Sequence, residues 1–178
     1  MRFVDFLKTT VLLSAGAATA LAAISVLASA TSSGSQSLHV GVDVGWWIIA
    51  STLGMLLGRR TEMTPPIARL LSSARASTSL PEQYPGRILL NRLWPLALFT
   101  LLSGALAFLA PQIPGIAAGF AIIWSLAWRH QDAAVAAIED RDGVAFYVQL
   151  TSPVRAMSLV RTPGFTAMRP QRVNGAVG

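Results

Sequence analysis

A chain of 178 residues with 53% hydrophobic and only 12% charged residues, and a mean hydropathy of +0.54, has too few charges to solvate a water-soluble fold, where about 25% is usual. This composition excludes an ordinary cytosolic enzyme and an acidic or low-complexity disordered chain. The absence of cysteine excludes disulfides, zinc–thiolate sites and thiol nucleophiles. The formal charge of +6 fits arginines flanking membrane spans better than a nucleic-acid footprint.

The first apolar run covers residues 10–30, rich in alanine and without a charge, behind Arg2, Asp5 and Lys8. It predicts a membrane-spanning helix, with Ser14/Ala18 and Gly16/Ala20 as small pairs at four-residue spacing. Ala28, Ser29 and Ala30 also imitate a secretory cleavage site. The run exceeds a signal core of about 7–15 residues, which favours a retained helix.

A Ser-rich loop leads to the second run, residues 40–58, which carries Asp43 near its start and ends on Gly54-x-x-x-Gly58. Residues 59–89 form a loop with an amphipathic helix inside it. Thr64 is its N-cap, Pro65 lies in its first turn, and Ile67, Leu70, Leu71 and Ala74 share one face. That face is expected to lie in the membrane interface or to dock a partner.

The third span covers about residues 90–110 and turns tightly at Pro111 and Pro114 into the fourth, residues 113–128. The fourth opens on Gly115-x-x-x-Gly119 and is short for a crossing, so Trp128 is placed at headgroup level with the helix continuing through residues 129–139. Trp46 and Trp47 mark one interface; Trp94, Trp124 and Trp128 mark the other. Gly143 ends the helix, and two strands follow at residues 144–150 and 154–161. Such a hairpin is marginal alone and must pack against something, the loop helix or a partner. Residues 165–178 read as a disordered basic tail.

The 14 basic residues fall before the first run, between the second and third, and after the fourth. Positive-inside bias then sets both termini in the cytoplasm. The fold expected is an all-α membrane protein, a four-transmembrane-helix bundle over residues 1–130, with a cytoplasmic helix and β-hairpin extension over residues 131–164. The glycine pairs Gly54/Gly58 and Gly115/Gly119 are candidate helix-packing positions, within the bundle or between copies in a homo-oligomer.

Chemistry is sparse. Asp43 is the only carboxylate within a run, with His39 one turn earlier, a weak outer polar pair for a cation or for pH sensing. Its position near the helix start favours headgroup water instead. Asp132, Glu139, Asp140 and Asp142 match no metal motif, and no phosphate loop or nucleophile elbow occurs. No catalytic residue, metal or cofactor is expected.

The function expected is a non-catalytic accessory or scaffold subunit of a bacterial cell membrane; the 13 arginines to one lysine hint at a high-GC origin. Its basic face would engage anionic headgroups or another protein through Arg59, Arg60, Arg69, Arg75, Arg155 and Arg161. The alternative is a small oligomeric pore or transporter component.

Overall fold

The computed structural model describes residues 1–31, 36–59, 64–77, 84–151 and 157–163. Four long helices make up most of it: α1 Phe3–Thr31, α2 Gln36–Leu57, α4 Pro85–Ala105 and α5 Gln112–Trp128. The short helices α3 Pro65–Ser72 and α6 Gln131–Asp142 join strands β1 Arg75–Ala76, β2 Val144–Val148 and β3 Leu159–Pro163 at one end. Three segments are long and apolar enough to cross a membrane: Phe3–Ala30, Val40–Leu57 and Pro85–Phe108. At 17 residues, α5 rises only ~25 Å at 1.5 Å per residue. It is the helix most enclosed by the others, burying Pro114, Ala117, Ala118, Ala121 and Ser125.

Helix directions follow from which ends meet. Gly115 and Gly119 of α5 face Asp43 and Trp46 of α2, while Gly54 and Gly58 face Leu126, so α2 and α5 run parallel. Leu21 of α1 packs on Ala117 and Ala118, whereas Thr10 and Ser14 lie beside Ala121 and Trp124, so α1 runs antiparallel to α5. The start of α1, the end of α2, the start of α4 and the end of α5 therefore share one end of the bundle.

At that end sits a compact module around a single core. Met1, Phe3, Val4, Phe6 and Leu7 meet Ile67 and Leu71 of α3, Ile88 of α4, Val135 of α6, and Val144, Phe146, Val148 and Leu159 of the sheet. The boundary expected at residue 130 cuts through this core, because residues before α1's apolar run supply much of it. The 29 residues of α1 explain how: the helix rises ~43 Å, more than the about 30 Å that a membrane crossing takes, and its first turns lie in the module.

The structure departs from the sequence reading in three further places. The helix expected to continue past Trp128 breaks at Arg129 and His130, and α6 starts afresh at Gln131. The second strand of the hairpin lies later than expected, with Val144 opposite Pro163 and Val148 opposite Leu159. That register sets Val148 and Leu159 side by side in the core. A third strand, β1, comes from the loop after α3 and pairs parallel with β3, in the sheet order β1-β3-β2. Gly143 closes α6 at φ +62°, a left-handed conformation that a Cβ would strain. The apolar face of α3 is used inside the protein, since Ile67 and Leu71 are buried in the module core.

One buried carboxylate ties the module together. Glu139 of α6 accepts a hydrogen bond from the Phe146 backbone N–H at 2.8 Å and pairs with the Arg2 guanidinium at 2.5 Å. That hydrogen bond outweighs desolvation and raises the Arg2 pKa above its ordinary value. Glu139→Ala would leave a buried N–H without its acceptor, and a loss of about 1–3 kcal/mol is expected in a denaturation series. Glu139→Gln keeps the acceptor and gives up an ion pair whose arginine is half-exposed, so a loss of about 1 kcal/mol or less is expected.

Candidate functional site: a buried carboxylate and an arginine-bearing module

Asp43 was expected in headgroup water, and the structure corrects this. Because α2 begins at Gln36, Asp43 lies about two turns inside the helix, and it is 6% exposed. Its Oδ2 accepts a hydrogen bond from the Ser25 hydroxyl of α1. The opposite wall is Gly115 of α5, where an added Cβ would stand 2.5 Å from Asp43 Oδ1. Three helices thus meet on one carboxylate, close to the N-terminal turn of α5, whose dipole favours a negative charge. The backbone of His39 lies in α2; its side chain is outside the described residues.

Two indoles fasten the same corner. Trp47 Nε1 donates to the Gly115 carbonyl at 2.8 Å and Trp46 Nε1 to the Ile116 carbonyl at 3.1 Å, with Gly119 leaving room for the Trp46 ring. The two tryptophans expected as interface anchors therefore also bridge α2 and α5. Lower on the same pair of helices, a Cβ at Gly54 would lie 2.8 Å from Leu126 Cβ, and one at Gly58 would meet the Leu126 carbonyl. All four candidate glycines face partners within this chain.

Ser25 escaped the sequence reading although a signal was present. Ser14, Ala18, Leu21, Ser25 and Ser29 recur at spacings of four, three, four and four, and all are buried. A small, partly hydroxylated stripe of this kind marks the face through which a membrane helix meets its neighbours. Asp43 is the carboxylate such a stripe was placed to meet.

The arginines are spread around the module. Arg59 at the end of α2, Arg69 on α3, Arg75 on β1 and Arg161 on β3 are exposed. Arg75 pairs opposite Val160, so it and Arg161 lie on opposite faces of the sheet. Arg60 and Arg155 fall outside the described residues, as do residues 165–178 of the expected tail. Of the acidic cluster, Glu139 points inward and Asp142 pairs with Arg141 at 2.8 Å. Among the described residues no three His, Asp or Glu side chains converge as a metal site.

The Arg141 hydrogen bond, followed by its charge, holds the Asp142 carboxyl below its ordinary value of 3.8. Any stability from this exposed pair is therefore present above the ordinary carboxylate range and lost as the pH falls through the depressed value. In an NMR titration Asp142 is expected to protonate below 3.8, and Arg141→Gln is expected to raise it.

Compared with protein-family models, with curated proteins and with solved structures, the chain shows no match.

Proposed function

We propose that this chain is a four-span protein of the cell membrane, with both termini in the cytoplasm, that serves as a non-catalytic accessory or scaffold subunit. The observation that carries the reading is the folded module at one end of the bundle, with exposed arginines distributed around it. Its exposed Arg69, Arg75 and Arg161, with Arg59 beside it, present positive charge next to the membrane surface, where anionic headgroups or an acidic protein partner are attracted. Among the described residues, the link between α4 and α5 at the far end of the bundle is short. The enclosure of α5 by its neighbours supports its crossing despite its length, since little of it has to match lipid.

The test of function is recovery of the protein from native membranes in mild detergent, followed by mass spectrometry. A stoichiometric partner lost from the triple variant Arg69→Glu, Arg75→Glu, Arg161→Glu is the expected result; a lone monomer from both samples overturns the proposal. Orientation is tested separately, because the chain has no native cysteine. Ala110→Cys in the turn after α4 is expected to react with an impermeant maleimide added to intact cells, and Ser73→Cys after α3 only after lysis. The reverse pattern inverts the topology.

A second reading, a pore or carrier, is favoured by one observation, the carboxylate of Asp43 enclosed among α1, α2 and α5. Ionisable groups within spans are costly and mark transport pathways. It predicts solute flux in liposomes that falls with Asp43→Asn while the fold survives.

A further inference from the structure

The bundle is unevenly closed. Helices α1, α2 and α5 pack through small residues, but α4 stands apart, with Leu90, Trp94, Leu98, Leu101 and Leu102 exposed. Pro95 lies inside α4. It has no N–H to give to Asn91, and its ring crowds that carbonyl, which bends a helix. Beside Pro95 a cavity of about 340 Å³ opens between α1, α4 and α5, within the span of small-molecule sites, about 300–1,000 Å³.

This cavity has two chemically distinct ends. Leu96, Phe99, Phe120 and Trp124 give it apolar walls, and Arg92 and Thr10 give it a polar mouth. No carboxylate belongs to its lining. The Arg92 guanidinium is set at the boundary between bundle and module by a hydrogen bond to the Thr151 hydroxyl, and Asn91 Nδ2 donates to the Thr151 carbonyl at 2.5 Å. Trp124 stacks on Trp128 on the same side, with ring centroids 5.3 Å apart. Guanidinium over an apolar slot, with indoles at the same level, fits a phosphate group carrying acyl chains. A second cavity of about 820 Å³ lies between α1 and α4 toward the other end; its lining holds no charged residue. Charge thus distinguishes the two, and only the first carries an anchor for an anion.

We propose that the Arg92 cavity holds one anionic phospholipid from the inner leaflet, its phosphate on Arg92 and an acyl chain along Leu96, Phe99 and Phe120. The bound lipid fills the gap beside Pro95 and fastens α4 to the rest of the bundle. The proposal rests on the membrane reading above, and the two fail in different ways. Release of the protein from membranes by alkaline carbonate would overturn the membrane reading. A firmly embedded protein without a selective lipid overturns this site alone.

Native mass spectrometry of the full chain, delipidated and then titrated with phosphatidylglycerol or phosphatidylcholine, tests it. One phosphatidylglycerol per chain is expected to be retained at least ~10-fold more tightly than phosphatidylcholine. Arg92→Gln should abolish that preference, and Arg92→Lys, which keeps the charge, should retain part of it. Leu96→Trp fills the apolar slot and should displace the lipid with Arg92 intact. Equal retention of both lipids by wild type and Arg92→Gln, or loss of preference in Arg92→Gln with none in Leu96→Trp, overturns the proposal. So does a second copy of the chain, cross-linked through the cavity wall, in place of lipid.

Discussion

Gly115→Leu is expected to abolish accumulation of the folded protein, and Gly115→Ala to destabilise the bundle by about 1–3 kcal/mol. Even one methyl would meet the Asp43 carboxylate, which Ser25 holds from the other side. Neither neighbour yields cheaply. Asp43 is fixed by its hydrogen bond and by α2, and α2 is fastened to α5 through Trp46 and Trp47. A wider Gly115 therefore forces the two backbones apart along their upper half. Thermal unfolding in detergent, monitored by tryptophan fluorescence, checks the order wild type, alanine, leucine. The double variant Gly115→Ala, Asp43→Ala should be less than additive, because the clash disappears with the carboxylate. Strict additivity would mean that the contact does not limit the approach of α2 to α5.

The second large effect lies in the module. Phe3 is among the largest fully enclosed side chains and stacks near Phe6, with ring centroids 6.4 Å apart. Phe3→Ala is expected to cost about 3–5 kcal/mol, the transfer term plus the cavity left behind. The loss should be local. Amides of β2 and β3 are expected to exchange with deuterium faster, while those at the centre of α2 and α5 stay protected. Equal loss of protection in both regions would show that module and bundle unfold as one unit.

These two sites mark where sequence reasoning succeeds and where it stops. The apolar runs of α1, α2 and α4 are legible because lipid imposes a length and a composition that few soluble helices meet. Gly54, Gly58, Gly115 and Gly119 were visible as close-approach positions, but spacing alone does not say which helix approaches. The roles of Phe3 and Phe6 were hidden for a different reason. Arg2, Asp5 and Lys8 made the first residues look like a charged flank, yet Phe3, Phe6 and Leu7 keep an apolar face between them. For Asp43, the error came from the helix start. The apolar run begins at residue 40, but α2 begins at Gln36, and the added turn carries the carboxylate inward. Strand β1 was illegible outright: two residues whose pairing exists only because β3 lies alongside.

The contacts of the first two residues also dictate an order of events. The Met1 carbonyl accepts from the Val148 N–H at 3.0 Å, and Arg2 reaches Glu139. The chain through α6 and β2 must leave the ribosome before both contacts can form. During synthesis α1 is made long before its partners in the module exist, and Phe3, Val4, Phe6 and Leu7 wait uncovered. Closure of the module is thus a late, long-range step, slow for the entropic reason that all distant pairings are slow. A chain stopped short of β3 would leave that apolar face open to chaperones and proteases.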